Sequence, residues 1–139
     1  QHDSTRKAVL SRADAVVFVA DSQTNQQDNN ATAFGNLEDN LDKVGLDIDT
    51  LPMAVQFNKR DLPDVVRDAE LQQRWANTPW APLQMASALH GKGVIETFRE
   101  LLGRLYTEVD REFALGAEHG IDRDTFIRQL SAASEESRA

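Results

Sequence analysis

Three short apolar runs, separated by stretches of helical periodicity, organise this chain. The first, Ala15-Val16-Val17-Phe18-Val19-Ala20, ends in Asp21. It is continuous and β-branched rather than alternating, the pattern of a strand buried on both faces. The second, Met53-Ala54-Val55-Gln56-Phe57, is entered through Leu51-Pro52 and ends at Asn58; the third, Pro82-Leu83-Gln84-Met85-Ala86, is weaker and stops at Ser87. Between the first two, from Asp28 to Val44, Phe34, Leu37, Leu41 and Val44 recur at helical spacing, and Gly45 is a C-terminal stop. Asp68 opens a shorter helix with Leu71 and Trp75 on one face. After Gly93, Val94, Phe98, Leu101, Leu105, Val109 and Phe113 form one stripe, with Ile95 and Leu102 beside it, which predicts a long helix facing the core. Strands alternating with helices of this size predict βαβ units, a parallel sheet and an α/β fold.

The two ends read differently. Residues 3 to 12, with Ala8, Val9 and Leu10, resemble the remainder of a helix leading into the first strand. Past Gly116 and Gly120, Asp122 is placed to cap a last helix through Phe126, Ile127 and Leu130, and the polar stretch Ser131 to Ala139 is expected to fray. The expected organisation is an α/β domain over 1-116 and a helical or partly disordered extension over 117-139.

Composition narrows the function classes. At 139 residues the chain is one domain or part of one. The absence of cysteine excludes disulfides, thiolate metal sites and cysteine nucleophiles. No apolar run approaches the ~20 residues that span a bilayer, and Gln1 to Lys7 lack the apolar stretch of a secretory signal. A formal charge of -8 opposes non-specific binding to nucleic acid or anionic lipid. The expectation is a cytoplasmic protein with no nucleic-acid partner and no membrane span. A nucleotide is also an anion, so a site for one must depend on local amides and particular side chains.

In an open parallel sheet, ligands bind beyond the carboxyl ends of the strands. Two strand ends here carry polar groups suited to a purine: Asn58-Lys59-Arg60-Asp61 after the second strand, and Ser87-Ala88-Leu89 after the third. This pair resembles the guanine-recognition signature of the small Ras-like GTPases, Asn-Lys-x-Asp followed by Ser-Ala-x. Guanine presents two adjacent donors, N1–H and the exocyclic amine, which one carboxylate can accept together. Adenine would leave that carboxylate unpaired, and a site built to hydrogen-bond a group rejects analogues lacking it by roughly 10⁴–10⁵-fold. The resemblance implies that Asp61 accepts both donors and that Asn58 ties the loop to its neighbours and reaches the far edge of the base. It further implies that the stem of Lys59 lies over the ring, that the Ala88 N–H donates to O6 and that Ser87 braces the turn. Leu89 stands where family members often have Lys; it can pack on the base but supplies no charge.

Longer strings narrow the resemblance. Asp3-Ser4-Thr5-Arg6-Lys7, Val16 to Gln23, and Gln56 to Pro63 are similar to the bacterial MglA family of gliding and polarity GTPases, over roughly Asp3 to Leu105. ADP-ribosylation-factor-like GTPases share the Asp-Leu-Pro after the base motif but match less well around Val16 to Gln23. The implied fold is the C-terminal portion of a Ras-like, P-loop NTPase G domain. The implied ligands are GTP or GDP and Mg²⁺, the Mg²⁺ ligands lying outside this sequence. The implied partner is a roadblock-type, MglB-like GTPase activator.

The family's phosphate loop, Gly-x-x-x-x-Gly-Lys-Ser/Thr, and its switch segments have no counterpart here. Gly91-Lys92 lacks the upstream glycine and follows the wrong strand. The catalytic residues are therefore expected outside this sequence, and Gln1 is assigned no catalytic role. Because the first apolar strand would otherwise be a bare sheet edge, residues are expected to precede Gln1 in the natural protein.

Other residues take plainer readings. Asp21 is read as a strand-end turn residue, Asp28, Asn29 and Asn30 as caps and loop, His90 as a solvated loop histidine, and His2 and His119 as surface. Trp75 and Trp80 are read as packing, and Arg6 and Lys7 as helix surface. The leading functional expectation is an MglA-type GTP-binding switch with slow hydrolysis in the intact protein, acting in polarity or motility. The alternative is a pseudo-GTPase interaction module that binds without turnover, and phosphate release after binding separates the two. A receiver-like domain with Asp21 as phosphoacceptor gives no reason for the Asn58 and Ser87 motifs.

Overall fold

The computed structural model describes the backbone of residues 15–138 and the side chains of residues 15–131. The expected helix remnant over 3 to 12, with His2, Arg6 and Lys7, lies outside the described residues. Three strands, β1 (Val16–Asp21), β2 (Met53–Asn58) and β3 (Gln84–Met85), form a parallel sheet in the order β1-β2-β3. Helix α1 (Gln27–Lys43) connects β1 to β2, and α2 (Asp68–Trp75) connects β2 to β3. Then follow α3 (Val94–Phe113), the short α4 (Leu115–His119) and α5 (Arg123–Arg138).

The central strand β2 is buried from Met53 through Phe57, as a continuous apolar run between two partners should be. Leu41 of α1 is fully buried, and Phe34, Leu37 and Val44 pack on the same core. Aromatic rings close the space between α1, α2 and the sheet. Phe34 meets Phe18 at 5.2 Å, Trp75 at 5.4 Å and Trp80 at 5.2 Å, each edge to face, the geometry favoured by the ring quadrupole. Trp75 and Trp80 are thus packing residues.

Two apolar patterns are only partly buried. β1 reads as buried on both faces, yet burial alternates along it: Phe18 and Ala20 face the core, while Val17 and Val19 are 38% and 55% exposed. The strand lies at the edge of the described sheet, and only the face under α1 is fully covered. The stripe on α3 is likewise only partly covered: Val94, Phe98 and Phe113 are exposed, Leu101, Leu105 and Val109 are half-buried, and Leu102 beside them is buried.

The orientation of α3 is fixed instead by contacts that periodicity does not weigh. Its Arg104 guanidinium donates to the carbonyls of Met53 (3.1 Å), Pro79 (2.9 Å), Trp80 (2.9 Å) and Ala81 (3.3 Å), pinning the helix to the start of β2. At the other end Gly93 has φ +81°, and a Cβ there would overlap the Met85 carbonyl and lie 2.8 Å from the Ala86 Cα. α5 packs on α3 through Tyr106, whose hydroxyl donates to the Ile121 carbonyl (2.7 Å) and whose ring meets Phe126 at 5.4 Å. Asp122 caps α5 by accepting the Thr125 N–H (2.8 Å), and the helix continues past Ser131 to Arg138.

Gly93→Ala should therefore destabilise the fold by about 2 kcal/mol or more, combining left-handed backbone strain with an overlap that backbone atoms cannot relieve. Gly35→Ala, inside α1 with open space around it, should stabilise by about 0.5–1 kcal/mol. Urea unfolding of the two variants checks the opposite signs.

Candidate functional site

Parallel register delivers the carboxyl ends of the strands to one edge of the sheet. Asp21 stands opposite Asn58. The Ala86 N–H donates to the Phe57 carbonyl (2.9 Å), which carries the pairing past β3 to Ser87. Pairing also continues beyond β1, where the Ser22 N–H donates to the Asn58 carbonyl (3.0 Å) and the Val66 N–H to the Ser22 carbonyl (2.9 Å).

The chain leaves β2 through Lys59, a non-glycine residue at φ +67°. That region is sparsely populated for residues with a Cβ. The turn is held by the Arg60 N–H on the Ala86 carbonyl (3.1 Å), the Leu62 N–H on the Lys59 carbonyl (3.1 Å) and the Arg60 guanidinium on the Val66 carbonyl (2.6 Å). Lys59 reaches back toward β1, and its Nζ donates to Asp21 Oδ2 (2.9 Å). Asp61 reaches the other way, and its Oδ1 accepts the Ser87 hydroxyl (2.7 Å). Asn58 Oδ1 accepts the Ala88 N–H (2.8 Å).

The third loop is closed on itself. Ser87 and Lys92 exchange backbone hydrogen bonds of 2.9 and 3.0 Å around a short 3₁₀ turn over Ala88–His90. Leu89 stands at its tip, 84% exposed. The structure therefore brings Asn58, Lys59, Asp61, Ser87, Ala88 and Leu89 to one edge. A cleft of about 340 Å³ opens beside them, bordered by Arg60, Asp61, Asp68, Ser87, His90 and Lys92. Among the described residues no cluster of three or more His, Cys, Asp or Glu could hold a metal ion.

The Ser87 hydroxyl, with the backbone N–H of Asp61, holds the Asp61 carboxyl below the usual carboxylate range, against partial desolvation. His90 adds a little: its Nε2 lies 3.7 Å from Asp61 Oδ2, while its side chain remains 55% exposed, as expected of a loop histidine. Asp21 is also lowered. Burial opposes its charge, but the Gln23 backbone N–H and the Lys59 and Gln23 side chains outweigh that cost.

Sequence reasoning missed the support behind Lys59. Asp21 does make a strand-end turn, its Oδ1 accepting the Gln23 N–H (2.9 Å), but it also pairs with Lys59. Asn30 is neither cap nor loop; it lies within α1, and its amide brackets Asp21 by accepting the Asp21 N–H (3.0 Å) and donating to the Asp21 carbonyl (2.8 Å). Gln27 Nε2 donates to the same carbonyl (3.1 Å). The one signal available was the run of amides just past an acidic strand end.

No protein-family model matches the chain. It is 36% identical over 110 residues to the mutual gliding-motility protein MglA of Myxococcus xanthus. The match covers 79% of this chain and 56% of that protein, so the chain spans a little over half the length of the relative. Over that region the chain is an MglA-like relative of the small GTPases.

The Asp61 carboxyl is more acidic in the folded chain than an unfolded aspartate. Its contacts therefore stabilise the fold above the ordinary carboxylate range, and that contribution is lost as pH falls through the folded-state pKa. Ser87→Ala should move the Asp61 titration upward toward the ordinary range. Carboxylate ¹³C NMR titration of the two proteins reads this directly, and coincident curves would show that the hydroxyl does not set the acidity.

Proposed function

We propose that this chain is the guanine-reading portion of an MglA-type GTP-binding switch. The observation that carries the reading is the convergence of Asn58, Lys59, Asp61, Ser87, Ala88 and Leu89 at the carboxyl edge of a parallel sheet, in a chain related to MglA. The chemistry at that edge suits guanine. Asp61 is ionised and braced on one oxygen by Ser87, leaving Oδ2, near His90, to face a ligand. A carboxylate so held accepts N1–H and the exocyclic amine together without first being oriented.

The remaining contacts follow from this pose. The Ala88 N–H, which Asn58 accepts in the free chain, turns to or is shared with the guanine O6. The stem of Lys59 covers one face of the ring, and exposed Leu89 supplies apolar surface at its margin. GTP, GDP and Mg²⁺ are the ligands proposed for the whole protein. The groups that hold the phosphates and Mg²⁺ are not among the residues assigned here. Slow hydrolysis, a roadblock-type MglB-like activator, and a role in polarity or motility belong to the same proposal.

Asp61→Asn should lower GDP affinity by roughly a hundredfold or more, because its amide presents a donor where an acceptor is required. The same change should favour xanthine nucleotides, which carry a carbonyl in place of the amine. Calorimetric titration with GDP and xanthosine diphosphate tests both, and unchanged GDP affinity in the variant would overturn the assignment.

A further inference from the structure

Asp21 sits outside the residues assigned to guanine, yet it is the most heavily fixed side chain at the strand edge. Its backbone is bracketed by the Asn30 amide, and its carbonyl takes a second donor from Gln27. Its carboxylate accepts the Gln23 N–H, the Gln23 side-chain amide on both oxygens (3.1 Å each) and the Lys59 ammonium. Lys59 is half exposed, and a half-exposed ion pair adds little to folding. Stability of that pair therefore does not account for two residues gathered on the Asp21 carboxylate and two more fixing its backbone.

The arrangement does order a flexible side chain. A lysine has many rotamers, and losing them on ligand binding weakens affinity. Here the loss is met before a ligand arrives: the main chain at φ +67° aims Lys59 back toward β1, and the fixed carboxylate captures its ammonium.

We propose that Asp21 is a positioning residue for Lys59, holding the lysine stem along the place the base occupies, with Asn30, Gln27 and Gln23 as its supports. This rests on the guanine reading of the site. Asp21 touches no ligand in this scheme and acts only through Lys59.

The test is a double-mutant cycle in the whole protein, reading affinity for a fluorescent GDP analogue. Asp21→Asn keeps the acceptor for Gln23 and removes the charge; Lys59→Met keeps a stem and removes the ammonium. Asp21→Asn should weaken binding roughly 3- to 10-fold, and the double variant should bind no worse than Lys59→Met alone. Losses that multiply in the double variant, or full affinity in Asp21→Asn, overturn the proposal. Thermal melting of each variant separates a binding loss from unfolding: a loss confined to variants with lowered melting temperature also overturns it. Running Asp61→Asn alongside keeps the two claims apart. If that variant loses GDP while Asp21→Asn does not, the positioning role fails and the guanine reading stands. If the whole parent protein does not bind GDP, both fail.

Discussion

The pairing of β2 with a parallel strand on each side is the constraint on which the rest depends. β2 is buried through five successive residues and has no solvent-facing side, so its register is set by what surrounds it. A slip of one residue would turn Phe57 and Asn58 to opposite faces, driving an amide into the aromatic cluster and a ring into the polar edge. Because the pairing is parallel, one choice of register also levels the strand ends. Asp21, Asn58 and Ser87 come from positions far apart in the chain, and the sheet alone makes them neighbours.

From that edge each polar side chain is spent on a neighbouring loop. Asn58 holds the turn at Ala88, Asp61 holds Ser87, and Lys59 holds Asp21. A chain leaving a strand in extended form would place alternate side chains on opposite faces. The left-handed residue at Lys59 breaks that alternation, allowing Lys59 and Asp61 to reach opposite neighbours. Such a residue costs about 1–3 kcal/mol and persists where the surroundings over-determine it. The Arg60 and Leu62 hydrogen bonds are that surrounding.

Much of this was legible in the sequence, for identifiable reasons. The central strand and α1 were readable because local pattern and final burial coincide there. The edge residues were readable because they directly follow strands, where chemistry concentrates in parallel sheets. Asn30 and Gln27 were not, because an amide on a helix looks like ordinary surface until the strand it faces is known. Arg104 was missed for a related reason: its partners are carbonyls, which no sequence pattern marks. Val17, Val19 and Phe98 carry an apolar pattern suited to covered faces, and residues 15–138 supply only part of that cover.

The charges at the edge also bear on how an acidic chain can hold an anion. With a net charge of -8, the long-range field opposes a nucleotide's approach. The cation nearest the proposed base, Lys59, is already paired with Asp21, and the group proposed to read the base, Asp61, is itself negative. This edge therefore offers a polyphosphate little attraction. Its contribution under the guanine proposal is discrimination: a fixed carboxylate accepts guanine's paired donors and is left stranded by other bases. In that proposal, affinity for the phosphates has to come from amides and cations elsewhere. Under the guanine proposal, base selection and phosphate holding are in that sense separable, and the strand edge is assigned the first.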